Sequence, residues 1–144
     1  INNKPLPVYG NGDNIRDWLY VLDHCDAILK VLESGEIGQT YNVGGNNEIK
    51  NIDVVETICD ILDNLIPKGN SESYKKLIHF IQDRPGHDFR YSIDASKLNS
   101  KLRWFPKESF KSGLEKTIQW YINNVAWWSA ILENTYRQER LGVM

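Results

Sequence analysis

Two stretches of this chain carry the spacing of a helix that is apolar on one side. Cys25, Ile28, Leu29 and Leu32 stand at i, i+3, i+4 and i+7, and Val55, Ile58, Cys59 and Leu62 repeat the same intervals. A repeat of about 3.6 residues gathers each set on one helix face, which then needs cover. Ala27 and Val31 broaden the first stripe, and Gly35 sits where a C-terminal cap belongs. The second helix is expected to start near Asn51, with Asp53 and Glu56 at the positive end of its dipole, and to stop before Pro67. Around these helices lie short runs rich in aromatic and β-branched residues: 5–10, 16–21, 39–45, 77–81 and 89–94. Residues 10–14, GNGDN, read as a turn, and 68–73 as a polar loop. A short helix over 95–102 and a long one from about Ser109 to Leu132 complete the chain. Short strands interleaved with one-sided helices predict a mixed α/β layer structure.

Composition narrows the function classes. The 144 residues carry 17 basic and 19 acidic side chains, a net charge of −2, which argues against a broad electrostatic grip on nucleic acid or an anionic membrane. No apolar run approaches the roughly 20 residues of a membrane-spanning helix. The two cysteines, Cys25 and Cys59, are too few for a disulfide scaffold and are expected to be reduced core residues of a cytoplasmic protein. His24, His79 and His87 are scattered, with no HxxxH or CxxC spacing, so no metal site is expected. Gly10-Asn11-Gly12 lacks the third glycine of a dinucleotide loop and precedes a strand rather than a helix. The only methionine is Met144 and residue 1 is Ile1, so residue 1 is not expected to be the natural start; processing or trimming of the chain would explain this, and so would a longer polypeptide of which this is the C-terminal part.

The densest polar chemistry lies in 82–94, QDRPGHDFRYSID, where Asp83, Arg84 and His87 flank Pro85 and Gly86. A turn needs the proline and the glycine but not the arginine or the histidine. Arg16 opens the 16–21 segment, so both arginines stand at element ends, where side chains converge on clefts. A guanidinium is a planar, permanently charged fork that matches phosphate. The alternative is that Arg16 pairs with Asp13 or Asp17, and Arg84 with Asp83 or Asp88, as surface ion pairs of little worth. Tyr9, between two prolines and a glycine, either covers a nucleobase or packs on the core. Asn51 either caps its helix or bonds a ligand there. His87 either donates to a ligand or tethers the bend to a backbone carbonyl. Trp120, Tyr121, Trp127 and Trp128 on the last helix suit packing, against the rest of the protein or against a partner subunit.

Four segments together carry a resemblance: KPLPVYGNGDNIRDWLYVLDH, TYNVGGNNEIKNIDVVETI, DRPGHDFRYSID and TIQWYINNVAWW. In this order they closely resemble the dTDP-glucose 4,6-dehydratase family, extended short-chain dehydrogenase/reductases acting on nucleotide sugars. PVYGxGxxxRDWLYVxDH is shared more loosely by nucleotide-sugar epimerases and dehydratases, whereas NxxxNxDVV followed by DRPGHDxRYxID is the more specific signature. The resemblance reaches only the C-terminal part of such enzymes. It implies that residues 1–144 are a substrate-binding portion of mixed α/β fold. The Rossmann part that binds NAD, and the catalytic Tyr-x-x-x-Lys pair, Thr and Asp-Glu pair, would lie outside. In the whole enzyme, C4 of the glucose is oxidised by hydride transfer to NAD, water leaves across C5 and C6, and the hydride returns to C6.

The same resemblance implies roles for the residues here. Arg16 and Arg84 would clamp the diphosphate, Pro7 and Tyr9 would line the nucleobase side, and Asn51 would contact the nucleotide. Asp83, Pro85, Gly86 and His87 would shape the wall near the phosphates and sugar. It further implies a cytoplasmic, homodimeric enzyme of deoxysugar, dTDP-rhamnose and O-antigen biosynthesis. Two alternatives stand beside it: another nucleotide-sugar epimerase or decarboxylase of the superfamily, and a stand-alone nucleotide-sugar binding module.

Overall fold

The computed structural model describes residues 1–69 and 71–134. The elements run β1 (Leu6–Tyr9), β2 (Ile15–Asp17), α1 (Val21–Ser34), β3 (Glu48–Lys50), α2 (Asn51–Leu65), a 3-10 turn (Tyr74–Leu77), β4 (Ile78–Ile81), α3 (Ser96–Leu102), α4 (Phe110–Asn123) and α5 (Val125–Asn134). The expected mixed α/β class is found. Part of the expected 68–73 loop, Asn70, lies outside the described residues, as does Met144.

The strands form two pairs. β1 and β4 run parallel, with Leu6 opposite Ile78 and Tyr9 opposite Ile81. β2 and β3 run antiparallel, with Arg16 opposite Ile49. Two-stranded sheets are marginal alone and need a packed face. The parallel pair finds it in α2 and α4: Cys59, Leu62 and Ile118 form a buried cluster onto which Leu6 and Ile78 pack. Here the sequence pattern holds, since Cys59 and Leu62 are buried and Val55 and Ile58 lie against them. Tyr74 closes the cluster, its hydroxyl donating to the Ile66 carbonyl at 3.1 Å. Asp63 pins the 3-10 turn to α2, accepting from Ser73 Oγ at 2.5 Å and Tyr74 N at 2.8 Å.

α1 corrects the expectation. Its inward stripe is Asp23, Ala27 and Val31, packed on a second cluster of Leu98, Leu102 and Trp104. Ala27 is wholly buried, while Ile28, Leu29 and Leu32 are exposed, Leu32 at 80%. Cys25 is exposed as well, so only Cys59 is a core thiol. The inward side contains polar residues because each has a partner. Asp23 Oδ2 accepts the Glu108 N–H at 3.0 Å, and Asp26 Oδ2 accepts Trp104 Nε1 at 2.9 Å. An apolar stripe states that a face wants cover, not which neighbour supplies it.

Three further expectations shift. Residues 39–45 form no strand; instead the Asp17 carboxylate accepts the Gly45 and Asn47 N–H groups at 2.9 and 2.8 Å. Residues 89–94 make a single bridge, Arg90 to Ile15, rather than a strand. The long last helix is two helices, broken at Asn124, whose Nδ2 takes the Trp120 carbonyl at 2.7 Å. An asparagine side chain competing for helix carbonyls is a sufficient cause of the break. Trp120 and Trp127 meet across it edge to face, with ring centroids 5.2 Å apart.

Candidate functional site

The parallel pair sets the stage. β1 and β4 end side by side, and both chains leave from the same end: Gly10 N donates to the Ile81 carbonyl at 2.9 Å. The turn 10–14 departs from β1, and the 82–94 bend departs from β4. The carboxyl ends of parallel strands are where open α/β folds bind ligands. The turn then feeds β2, and β2 catches the far side of the bend. Ile15 N donates to Phe89 O at 2.8 Å, and Tyr91 N donates to Ile15 O at 3.1 Å. Arg16 is thereby held against the segment that begins with Arg84.

Gly12 makes this arrangement possible. Its φ is +74°, and a Cβ there would stand 2.8 Å from Ile52 Cβ and 2.9 Å from Val8 Cγ1. The turn lies directly on the start of α2, and its carbonyls bind the first amides of that helix. Asn51 N donates to Asn14 O at 2.9 Å and Ile52 N to Gly12 O at 3.0 Å. This corrects the role of Asn51 as a side-chain cap. Lys50 occupies the cap position without a side-chain bond, Asn51 is the first helical residue, and backbone carbonyls do the capping.

These bonds also bear on a dinucleotide. The amides that would cradle a pyrophosphate at this glycine turn are already engaged with the turn itself, and a close backbone approach is filled by Val8 and Ile52. This glycine turn does not fit the pyrophosphate of NAD.

Around the strand ends the side chains form two linked groups. In the first, the Arg84 guanidinium lies 5.9 Å from the Tyr9 ring centroid, and the His87 ring meets Tyr9 edge to face at 6.1 Å. The His87 side chain is only 5% exposed, and its Nδ1 is 2.7 Å from Asp83 Oδ1. Asp83 also accepts the Arg84 N–H at 2.8 Å. The bond to His87, more than the Arg84 amide, holds the Asp83 carboxyl below the usual range. His87 tethers the bend, but to a carboxylate rather than to a backbone carbonyl. In the second group, Arg16 lies over the Tyr91 ring at 4.4 Å and donates to the Asp88 carbonyl at 2.9 Å and to its neighbour Ile15 O at 2.6 Å. Asn14, buried, donates to the same Asp88 carbonyl at 3.2 Å. The groups adjoin at Tyr91, whose hydroxyl feels the positive charge of both Arg16 and Arg84.

The acidic neighbours decide what the arginines are for. Asp13 pairs with Lys50 at 2.8 Å. Asp17 receives the Gly45 and Asn47 amides, Asp83 holds His87, and Asp88 accepts the Tyr91 hydroxyl. All four carboxylates considered as partners for the arginines are thus engaged elsewhere. Among the described residues no ion pair involves Arg16 or Arg84. Arg90 behaves differently: its NH2 sits 2.6 Å from Glu48 Oε2, and that carboxylate also accepts Ser92 Oγ at 2.6 Å. Pro7 lies exposed on β1, two positions before Tyr9. Gly86, at φ +67°, is the open tip of the bend beside Pro85, with nothing within 4 Å of a would-be Cβ. Sequence reasoning missed Asn14 and Tyr91 and saw Asp88 only as an ion-pair partner of Arg84; Asp88 O and the Tyr91 ring hold Arg16, and Asn14 braces Asp88, through contacts between segments distant in the chain.

Arg16 and Arg84 are both half-buried. A hollow of about 560 Å³ lies elsewhere, between the start of α1 and α4–α5. Trp18, Leu22, Trp120 and Trp127 are among its lining residues, and the Trp18 Nε1 is buried without a hydrogen-bond partner. Its apolar wall does not suit phosphate. No group of acidic, histidine and cysteine side chains suited to a metal ion occurs among the described residues, and no described helix is long and apolar enough to cross a membrane.

Two arginines without an ion-pair partner among the described residues thus stand near the ends of the parallel strands, and comparison with known proteins gives the family. The profile of the GDP-mannose 4,6 dehydratase family matches residues 1–117, and the chain belongs to that family. Within it, the chain is 55% identical over 147 residues to a dTDP-glucose 4,6-dehydratase of Escherichia coli, covering 100% of this chain and 40% of that protein. It is 53% identical over 144 residues to the dTDP-glucose 4,6-dehydratase of Neisseria meningitidis serogroup B, covering 99% of this chain and 41% of that one. Among solved structures, dTDP-glucose 4,6-dehydratase of Bacillus anthracis str. Ames in complex with NAD superimposes with a TM-score of 0.77 at 46% identity. That match covers 89% of this chain and 38% of the other. The chain therefore spans about two fifths of the length of the curated relatives it matches.

Proposed function

We propose that this chain is the substrate-binding portion of an NAD-dependent dTDP-glucose 4,6-dehydratase. Arg16 and Arg84 hold the nucleotide diphosphate, and Tyr9, with Pro7, lies on the nucleobase side. Asn51 meets the nucleotide from the start of α2, and Asp83 to His87 form the wall beside the phosphates and sugar. The observation that carries this is the state of the two guanidiniums: every nearby carboxylate has another partner, so their charge is left for an anionic ligand. The relatives are dTDP-glucose 4,6-dehydratases, which points to dTDP-glucose as substrate, and the Bacillus anthracis relative was solved in complex with NAD. NAD is bound by the part of the enzyme beyond this chain, which contains neither a GxxGxxG loop nor a Tyr-x-x-x-Lys pair.

Within the whole enzyme this portion does no bond-breaking. It fixes a remote diphosphate so that the glucose ring lies in register for the redox part, which is how binding energy away from the reacting centre raises the rate. The partial exposure of both arginines fits a site whose opposite wall belongs to that part. Our reading of the whole enzyme is a cytoplasmic homodimer in deoxysugar biosynthesis of the dTDP-rhamnose and O-antigen kind.

Calorimetric titration of dTDP, dTDP-glucose and UDP-glucose into the chain and its Arg84→Ala variant tests this. Removing one charge-assisted contact of about 1.5–3 kcal/mol should weaken the thymidine ligands roughly tenfold or more. Undiminished affinity in the variant overturns the diphosphate role. Preference for UDP-glucose moves the assignment to an epimerase or decarboxylase of the superfamily.

A further inference from the structure

We propose that Tyr91 is a positioning residue for the diphosphate: its hydroxyl holds the Asp88 carboxylate off Arg16, so that the guanidinium stays open to an anion. This rests on the diphosphate reading of Arg16. Asp88 is the carboxylate best placed to spoil the site, because Arg16 is already bonded to the Asp88 backbone carbonyl at 2.9 Å. Rotation of the Asp88 side chain about its own Cα would bring a carboxylate to the guanidinium, and an Arg–carboxylate fork competes directly with an Arg–phosphate fork.

Tyr91 prevents this with two contacts from one side chain. The hydroxyl donates to Asp88 Oδ2, and the ring face carries the Arg16 guanidinium at 4.4 Å. The ring does not drift, because Tyr91 N is bonded to Ile15 O at 3.1 Å, one residue before Arg16. The charged groups facing the phenol are Arg16, Arg84 and Asp88. The bond to Asp88 outweighs the two cations and raises the Tyr91 pKa, so the hydroxyl remains a donor at neutral pH. The same segment shows the alternative outcome one residue earlier, where Arg90 is consumed by Glu48. Tyr91 is half exposed, so its edge faces the solvent from which a ligand arrives.

The test is a cycle of four chains, namely the unsubstituted protein, Tyr91→Phe, Asp88→Asn and the double variant, with Arg16→Ala as reference. Inorganic pyrophosphate and dTDP are titrated into each at low ionic strength, with far-ultraviolet circular dichroism to follow the fold. Tyr91→Phe keeps the ring beneath Arg16 but frees Asp88, and affinity should fall about two- to fivefold, the scale of an exposed or partly exposed ion pair. Asp88→Asn alone should bind at least as well as the unsubstituted chain. The double variant should recover most of the loss, a rescue that a merely structural hydroxyl would not give. If Arg16→Ala weakens binding but Tyr91→Phe does not, or if the double variant stays as weak as Tyr91→Phe, the positioning role is wrong. If the unsubstituted chain binds neither probe, or Arg16→Ala binds as well as it does, the diphosphate reading fails and the role of Tyr91 goes with it.

Discussion

Replacing Gly12 with alanine should cost this protein far more than the addition of one methyl group suggests. Two penalties meet at the site. At φ +74° an L side chain is held in the left-handed region, at about 1–2 kcal/mol. The new Cβ would also press on Ile52 Cβ and Val8 Cγ1 at 2.8 and 2.9 Å, and overpacking of that kind costs roughly 1–3 kcal/mol. Lower entropy of the unfolded chain returns about 0.4–1 kcal/mol. The net loss is about 1–4.6 kcal/mol, centred on about 3, a large fraction of the ~5–15 kcal/mol that holds a domain folded. Gly38→Ala is the matched control: its φ is +82°, yet nothing lies within 4 Å of the added carbon, so only the backbone penalty of about 1–2 kcal/mol applies, less the same entropy gain. Urea unfolding followed by circular dichroism gives both midpoints, compared at constant slope. Equal shifts for the two variants, within about 0.5 kcal/mol, would refute the claim that the turn is packed onto α2 through this glycine. Because Gly12 O also caps Ile52, Gly12→Ala should further weaken nucleotide binding through displacement of Arg16, whereas Gly38→Ala should not.

Asp63 gives a pH-dependent case. Its carboxyl is held below the usual aspartate range, first by Ser73 Oγ and then by the Tyr74 amide. A depressed folded pKa means stability that is present above the unfolded value of about 4 and lost as pH falls through the lower folded value. Asp63→Asn should therefore lower the urea midpoint at pH 7, and the gap to the unsubstituted chain should close below about pH 4. Leu32→Lys, on the exposed side of α1, should change stability by no more than about 0.5 kcal/mol in thermal or urea unfolding.

The α2 framework was legible in the sequence because its local signals agree: period, acidic first turn and a proline just past the end all describe the same helix. α1 was legible as a helix but not in orientation. Ile28, Leu29 and Leu32 outweigh Asp23 and Asp26 on any hydrophobic count, yet the two aspartates face inward because Glu108 N and Trp104 Nε1 meet them there. No periodicity contains that information, since the partners lie about eighty residues away. Strands failed where pairing was tertiary. Residues 39–45 have the right side chains, but the Gly45 amide at the end of the segment goes to the Asp17 carboxylate rather than to a neighbouring strand.

At the site, the concentration of Asp83, Arg84 and His87 about a Pro-Gly bend was visible, but the bond of His87 to Asp83 was not, since a ligand or a backbone carbonyl was the expected partner. The part played by Tyr91 was not visible. Its spacing from Asp88 is ordinary, and only the bridge between Arg90 and Ile15 brings it beneath Arg16. Asn51 looked like a cap because it is an asparagine at a helix start. The capping groups are backbone carbonyls, which no side-chain code announces.

The parallel pairing of residue 6 with residue 78 has a kinetic consequence. A chain can form α2 from local contacts alone, but the strand ends that carry Tyr9 and Arg84 come together only after a long loop has closed, and that closure entropy comes before any pairing rewards it. During refolding, helical signal should therefore return early and the capacity to hold a ligand late, with global closure of the molecule.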